Sequence, residues 1–373
     1  DWSSDVCSSD LVSLFFILLV KSQAQLTAPV VRAGFGVEAD LKANFFNSAN
    51  LSGNDDWYPN AVNGTGTFII DTTGAAALLQ RYQSNPSSRA QAMARSMRFM
   101  PYSPVNGKLL IDGIFIRDFH GIDSTVFASG ANKNCMNPSD WTTPVTQNIP
   151  DKNDILDTYL HIRRDGTTIS DSLYVVGGIS IANITGNRYF DVEMYQTDID
   201  YDRANLRFVG FGPDAGHTAW RFDSAGRVSK VGDIIFTANY PSSSLTNVEA
   251  RIWIDAQSLS VNPMAFNWGG QFDGAASGAQ YGYANIVPKT PGDYYTGLTS
   301  PANTWAGPFG LILQDESLVS EYQTGQYMEF SINLSKLGLD PWMNSNEPCK
   351  LPFTRVLIKS RASTSFTAQL KDF

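Results

Sequence analysis

Three hydrophobic runs of strand length follow one another in the middle of the chain, at 155–162, 172–181 and 188–196. Gly166 and Gly186 interrupt the gaps between them, and each run contains Val, Ile, Tyr or Phe, the residues enriched in half-buried strands. The central run is almost continuously apolar, which is typical of a strand covered on both faces. The pattern predicts three strands at the middle of a β-sandwich.

Similar short runs, separated by turn residues, recur along the rest of the chain. They predict strands over 31–43, 67–71, 108–117, 123–129, 205–211, 219–222, 233–239, 248–255, 282–286, 309–313, 327–333, 353–359 and 366–371. Many short strands with turns between them are typical of two packed antiparallel sheets. We therefore predict an all-β fold, a large jelly-roll-like β-sandwich.

The hydrophobic period changes near 72–98, where we predict a small helical insertion. Residues 74–80 have helical character, and a second helix is predicted to begin at Ser87 or Ser88. The apolar residues of this second helix have the i, i+3, i+4, i+7 spacing of an amphipathic stripe: Ala90, Met93, Ala94 and Met97. Core packing is the role that we favour for this face.

The first residues of the chain do not belong to the predicted fold. Residues 1–11 resemble a translated sequencing-library adapter and are treated as an artefact. Residues 12–24 are interpreted as a signal-peptide remnant cleaved after Ala24, because the apolar run of about ten residues is too short for a membrane span. We therefore expect residues 25–373 to form a single β-sandwich domain of a secreted or cell-surface protein without a stable membrane span.

Composition narrows the classes of partner. The net charge of −9 stays negative without the leader, and this argues against nucleic acid, whose phosphates favour a basic surface. Outside the leader the chain has two cysteines, Cys135 and Cys349, which allow one disulfide whose formation the sequence does not decide. A hydrophobic core must therefore supply most of the stability.

Two segments carry a resemblance to known families. Asn54-Asp55-Asp56-Trp57, after an early glycine-rich strand, resembles the opening of carbohydrate-binding family 9-like and DOMON-like sandwiches. The segment 151–155, followed by 173–178 and a strand ending at Gln196, resembles a pattern of large bacterial surface proteins, although Ile179-Ser180 stands where that pattern often has Asp-Arg.

As a whole, residues 31–373 are similar to N-terminal modules of exported proteins of gliding bacteria, the cargo of type IX secretion. The resemblance implies a β-sandwich without catalytic residues. It also implies a C-terminal sorting domain that is not in this sequence, so we expect the chain to be truncated at its C-terminus.

A pair of carboxylates suggests one enzymatic alternative. Asp191 and Glu193 alternate on a predicted strand, so they share a face, as the two carboxylates of jelly-roll glycosidases do. Gln196, however, occupies the position where such an enzyme has its general acid, and an amide cannot donate that proton. We favour a solvated strand face and predict no enzymatic activity.

Calcium is the metal that the sequence brings into consideration. Asp151, Asn153 and Asp154 place three oxygen-bearing side chains in one predicted loop, and calcium takes six to eight oxygen ligands. The spacing does not match an EF-hand, and capping of turns by Asp is the interpretation that we favour. Apart from this structural calcium, no cofactor is expected. The three histidines, at 120, 161 and 217, are too scattered for a metal motif, and we predict a surface or hydrogen-bonded role for His161.

An aromatic, glycine-rich region suggests a binding surface. Rings on loops can stack against sugars, and the alternative is that they fill the sandwich core. The candidate residues for glycan stacking are Trp268, Tyr281, Tyr283, Tyr294, Tyr295 and Trp305.

The sequence therefore predicts a non-catalytic secreted or cell-surface module, with an adhesive or structural role in a longer exported protein. Polysaccharide or cell-surface components are the expected partners. A carbohydrate-binding module is the first alternative, and a degenerate jelly-roll glycosidase is the second.

Overall fold

A computed structural model describes residues 24–42, 54–59, 66–118, 125–144, 149–240, 245–344 and 351–373. The strands are β1 (Ala24–Leu26), β2 (Val30–Arg32), β3 (Phe35–Val37), β4 (Met93–Ser96), β5 (Ser103–Val105), β6 (Lys108–Arg117), β7 (Ile155–Arg164), β8 (Leu173–Ile181), β9 (Arg188–Tyr195), β10 (Asp200–Asp202), β11 (Arg207–Val209), β12 (Arg221–Phe222), β13 (Val228–Lys230), β14 (Ile234–Tyr240), β15 (Asn247–Asp255), β16 (Phe266–Gly274), β17 (Tyr281–Pro288), β18 (Asp293–Thr299), β19 (Thr304–Trp305), β20 (Leu311–Ile312), β21 (Leu318–Val319), β22 (Glu321–Tyr322), β23 (Tyr327–Asn333) and β24 (Arg355–Ser360). The α-helices are α1 (Ala75–Ser84) and α2 (Pro341–Asn344). Short 3-10 turns lie at Pro86–Ser88, Lys133–Cys135, Pro138–Asp140, Asp151–Asn153 and Ala256–Ser260.

Two large sheets organise the described residues. The eight-stranded sheet has the order β1-β18-β23-β8-β7-β6-β4, with β5 paired to β6. The six-stranded sheet has the order β16-β17-β15-β14-β9-β24. Pairing is antiparallel except between β1 and β18, and neighbours in a sheet are often neighbours along the chain. The prediction of an all-β sandwich with a small helical insertion is confirmed.

The core between the sheets consists of alternate residues from their facing strands. Val175 and Ile179 of β8 and Phe330 of β23 face Val192 of β9 and Phe236 of β14. Burying apolar surface in this way stabilises the fold by about 25 cal/mol per Å². The two sheets are therefore layers of one sandwich.

Each sheet is also covered on its outer face. The segments 35–42, 54–58 and 69–75, together with 304–322, pack on the eight-stranded sheet. The segments 126–144, 199–220 and 366–373 pack on the six-stranded sheet. Both faces of the central strands are consequently buried, which is the physical reason for their nearly continuous apolar sequence.

The three runs that organise the sequence are strands β7, β8 and β9, as predicted. β7 and β8 pair with each other, whereas β9 lies in the opposite sheet between β14 and β24. The chain thus crosses from one sheet to the other after Ile181. The predicted strand over 31–43 is instead a hairpin of β2 and β3, whose turn has Ala33 and Gly34 at positive φ.

The second predicted helix is wrong. The first forms as α1, but a 3-10 turn at Pro86–Ser88 follows it and the chain then extends as β4. Met93 and Arg95 are partly buried while Ala94 and Ser96 are exposed, so the local period is two. Pairing of β4 with β6 satisfies the backbone and overrides the helical spacing of the methionines.

Within the described ranges, no helix is both long enough and apolar enough to cross a membrane. The predicted adapter and leader residues up to position 23 lie outside those ranges, as does His120. Cys135 is buried, and Cys349 also lies outside the described residues, so the pairing of the two cysteines stays open.

Candidate functional site

The carboxylate pair on β9 is buried, and the expected solvated face is wrong. Asp191 and Glu193 are 0% exposed because segments 126–144 and 361–373 cover this side of the sheet. Asp191 accepts hydrogen bonds from Arg361 Nε at 2.7 Å and from Asn134 Nδ2 at 2.7 Å. Its two carboxylate oxygens are therefore committed to neighbouring side chains.

Glu193 is held in a similar way by residues from two other strands of the same sheet. Lys359 of β24 donates to its Oε2, and the Tyr283 hydroxyl donates to its Oε1 at 2.5 Å. Burial opposes ionisation of Glu193, but the charges of Lys359 and His217 and the hydrogen bonds to this carboxyl together outweigh burial and lower its pKa. Lys359 also donates to Asn134 Oδ1, so the ion pairs of Glu193 and Asp191 form one network.

His217 completes this network from the covering segment. Its Nδ1 lies 3.3 Å from Asp233 Oδ2 and 3.6 Å from Glu193 Oε1, and its ring stacks on Trp253 with centroids 4.0 Å apart. Burial raises the pKa of Asp233. His217 is 0% exposed, so this constellation of acid and histidine has the residue types of a catalytic site without access for a substrate.

His161 has a different environment on the eight-stranded sheet. It is fully buried, and its Nδ1 lies 2.6 Å from the Asp112 carbonyl oxygen. Burial and the nearby Arg163 charge hold the pKa of its imidazole well below the usual value. Of the two predicted roles, the hydrogen-bonded histidine is confirmed.

The residues predicted to bind calcium lie in a 3-10 turn before β7. Asp151 is exposed, while Asn153 is buried and donates through Nδ2 to the Arg361 carbonyl oxygen at 2.8 Å. Asp154 is 9% exposed. The Asp151 carboxylate is thus exposed to solvent, whereas the Asn153 amide is buried. Binding of one calcium ion by both side chains stays a prediction.

The aromatic candidates do not form one surface. Tyr283, Tyr294 and Tyr295 are at most 5% exposed and belong to the packed core, so the expectation of sugar stacking is wrong for these three rings. The partly exposed Trp268, Tyr281 and Trp305 pack against three different hydrophobic clusters: Trp268 against the core between the sheets, Tyr281 against the cover of the six-stranded sheet, and Trp305 against the cover of the eight-stranded sheet.

A cluster of carboxylates lies beneath the cover of the eight-stranded sheet. Glu38, Asp40 and Asp56 have carboxylate oxygens within 4.8 Å of one another, and Glu329 of β23 adjoins them. All four residues are at most 1% exposed. The sequence pattern did not single them out, although Glu38 and Asp40 alternate and Asp56 belongs to the segment that carries the family resemblance.

Glu329 differs from the other three acids because its oxygens are fully engaged. Oε2 accepts from the backbone N–H groups of Glu38 and Ala39 at 2.7 and 2.8 Å, and Oε1 accepts from Trp57 Nε1 at 2.8 Å. These bonds attach the covering segments 35–42 and 54–58 to β23. Glu329 therefore fixes the position of the backbone that carries the neighbouring acids.

The remaining oxygens have few donors. Asp40 Oδ1 accepts from the Lys42 N–H and Asp56 Oδ1 accepts from the Trp57 N–H, at 2.9 and 2.6 Å. Among the described residues, neither oxygen of Glu38 nor Oδ2 of Asp56 has a hydrogen-bond partner. A buried carboxylate without partners carries a large desolvation cost unless it is neutralised.

Burial shifts the ionisation of the whole cluster. Burial first, and then the charges of Asp40 and Glu329, raise the pKa of Glu38 to about 9. Burial raises the pKa of Asp40 to about 7 and that of Glu329 to about 8, and it holds the pKa of Asp56 well above its usual value. Near neutral pH the cluster must therefore hold protons or a bound cation.

A groove of about 310 Å³ opens between the edges of the two sheets. Its walls include Ile114 and Ile116 of β6 and Val356 and Ile358 of β24, with Phe373 at one end. The two isoleucines are 37% and 42% exposed, so the inter-sheet core is accessible from this side.

Comparison of this chain with protein-family models, with curated proteins and with solved structures gives no match. What the fold and these sites define is a β-sandwich with covered outer faces and two buried polar clusters, one on each sheet.

Proposed function

We propose that this protein is a non-catalytic module of a secreted or cell-surface protein, with an adhesive or structural role. The observation that supports the proposal is the state of the Asp191–Glu193 pair. Both carboxylates are 0% exposed and paired with Arg361 and Lys359, so a glycan cannot reach them without removal of the covering segments. A buried, paired carboxylate supports the fold and does not serve as a nucleophile.

The first test measures whether the protein hydrolyses polysaccharides. The purified chain is incubated with a panel of polysaccharides, and released reducing ends are measured beside a Glu193→Gln variant. We expect no release from either protein. Release by the unaltered protein that the variant lacks would contradict the proposal and support the glycosidase alternative.

Carbohydrate binding without hydrolysis is the second candidate, and the partial exposure of Trp268, Tyr281 and Trp305 favours it. Affinity electrophoresis in gels containing xylan, laminarin or mannan tests it with the unaltered protein and with Trp268→Ala, Tyr281→Ala and Trp305→Ala variants. Retardation of the unaltered protein that one of these variants loses would support a carbohydrate-binding module. Equal mobility in all gels would leave an adhesive or structural role without a sugar ligand.

Export of the protein would depend on the signal-peptide remnant at residues 12–24. When the chain from Leu11 onward is expressed in bacteria with an initiating Met, we expect cleavage after Ala24 and a mature N-terminus at Gln25. Mass spectrometry of the product measures this. Retention of the apolar run in the cytoplasmic product would contradict export by this segment.

A further inference from the structure

We propose that Glu38, Asp40, Asp56 and Asn54 bind one calcium ion beneath the cover of the eight-stranded sheet. The site is separate from the Asp151 loop in which the sequence suggested calcium, and it does not depend on the proposed function. The inference starts from the mutual approach of three carboxylates within 4.8 Å. Calcium–oxygen distances of 2.3–2.6 Å allow two ligand oxygens on one ion to be about that far apart.

The negative charge of the three carboxylates favours binding of a cation. The described basic residues nearby are Lys42, two positions after Asp40 along the chain, and Arg163, whose Nη2 donates to Asp55 at 2.6 Å. Among the described residues, no basic side chain pairs with either oxygen of Glu38 or with Asp56 Oδ2. A divalent cation would balance carboxylates whose burial is otherwise unfavourable.

An amide oxygen provides the second observation. Asn54 is 4% exposed, and its Oδ1 has no hydrogen-bond partner among the described residues. A Cβ built on Gly36 would lie 2.1 Å from Asn54 Nδ2, 3.0 Å from Asn54 Cγ and 3.1 Å from Glu38 Oε1, so the amide and that carboxylate approach the same glycine. Amide oxygens are calcium ligands in proteins.

A tyrosine hydroxyl lies near Glu329, which adjoins the cluster. Tyr327 and Glu329 are two residues apart on β23 and share its outer face. The Tyr327 hydroxyl lies over Gly178, which is the partner of Glu329 in the sheet register, and a Cβ on Gly178 would be 1.9 Å from it. This hydroxyl is fully buried and has no hydrogen-bond partner among the described residues.

The chemistry of the donors selects calcium over other common metals. The site offers carboxylate and amide oxygens and neither histidine nor cysteine from the described residues, which disfavours zinc. Magnesium usually keeps several waters, whereas these side chains are at most 4% exposed. Glu329, whose oxygens already accept three hydrogen bonds, acts as a positioning residue for the ligands.

The test measures thermal unfolding of the purified full chain after treatment with a chelator. We expect calcium chloride, at about 100 times its dissociation constant, to raise the melting temperature by about 5 °C relative to the chelated protein. Magnesium chloride at the same concentration should raise it less. An unchanged melting temperature in calcium would overturn the proposal.

Terbium, which replaces calcium at oxygen sites, gives a second measurement. Trp57 donates to Glu329, so excitation of this indole should sensitise emission from a terbium ion in the site. A Trp57→Phe variant should lose most of that emission while keeping the calcium-dependent rise in melting temperature. Full emission from the variant would place the ion elsewhere and overturn the assignment.

Charge-removing variants locate the site. Glu38→Gln keeps the size of the side chain and replaces a carboxylate ligand by a neutral amide, so the variant should stay folded in chelator and lose the calcium response. Asp151→Asn is the matched control in the exposed turn and should keep the full response. A normal response in Glu38→Gln, or loss of the response in Asp151→Asn, would overturn the proposal in favour of another site.

Discussion

At the scale of single residues, the outer faces of the sheets contain charges that a strand pattern alone assigns to solvent. On β9, Phe190, Val192 and Met194 point into the inter-sheet core, whereas Asp191 and Glu193 point to a cover of chain segments. The carboxylates are stable there because Arg361 and Lys359 reach them from the C-terminal part of the chain. Both ion pairs therefore neutralise buried carboxylates, and the pair of Asp191 with Arg361 also joins the cover to the sheet.

Replacement of Lys359 tests this role. A Lys359→Met variant keeps most of the side-chain volume but leaves Glu193 charged and unpaired, so we expect a loss of about 3–5 kcal/mol in the free energy of unfolding. Urea denaturation measures it. The control is Arg355→Met on the same strand, whose pair with Asp198 is exposed and should contribute less than about 1 kcal/mol. Equal losses in the two variants would contradict the role assigned to burial.

The lowered pKa of His161 predicts that the free energy of unfolding depends on pH. Its pKa is lowered in the folded protein, so below a pH of about 6.5 the unfolded chain binds a proton that the folded chain does not. This group should therefore reduce stability as pH falls through about 6.5, by at most about 1.4 kcal/mol per pH unit.

The measurement compares the unaltered protein with His161→Asn, in which the asparagine amide can still donate to the Asp112 carbonyl from the position of Nδ1. We expect the variant to lose less stability than the unaltered protein between about pH 7 and about pH 5. Identical pH profiles would show that His161 is protonated as readily in the folded protein as in the unfolded chain.

At the scale of elements, β4 shows how sheet pairing can override a helical pattern. Ala90, Met93, Ala94 and Met97 have helical spacing, yet residues 93–96 pair with β6 at the edge of the eight-stranded sheet. The preceding α1 has a similar alanine content and remains a helix. Local propensity is a weak determinant when a neighbouring strand offers its backbone hydrogen bonds.

A matched pair of substitutions distinguishes the two elements. Ala94→Val, at an exposed position of β4, should raise the free energy of unfolding by about 0.5 kcal/mol because β-branched residues favour strands. Ala77→Val, at an exposed position of α1, should lower it by about 0.5 kcal/mol because they disfavour helices. Chemical denaturation measures both, and a destabilising Ala94→Val would argue for helix in this segment.

At the scale of the whole molecule, the sandwich depends on the chain segments outside its two sheets. Residues 361–373 supply Arg361 to Asp191 and pack Phe366 and Leu370 on the six-stranded sheet. Asp372 Oδ2 accepts from the Ile155 N–H at 2.6 Å, which also connects this segment to the eight-stranded sheet. The cover is thus part of the cooperative structure.

A chain that ends at Ser360 tests this dependence. We expect it to lose the cooperative unfolding transition, because Asp191 would lose its ion pair with Arg361, and the buried Tyr195 and Ile235 of the outer face would lose the cover of Leu370 and Phe366. Near-ultraviolet circular dichroism and urea denaturation measure the effect. Arg361→Gln in the full-length chain serves as the comparison, since it removes the charge and keeps the cover. A truncated chain with the melting temperature of the full chain would contradict the dependence.

The sequence by itself determined the strands that hold the core. β6, β7, β8, β14 and β23 follow from runs of β-branched and aromatic residues, because burial of both faces leaves a local signal in the residues of the strand itself. Only the tertiary structure decided which polar residues are buried and which partners they have. Asp191 meets Arg361 across 170 positions, and Glu38 meets Glu329 across 291. Burial and pairing over such sequence separations depend on which segments fold back over each sheet. The local hydrophobic period of a strand contains no information about those segments.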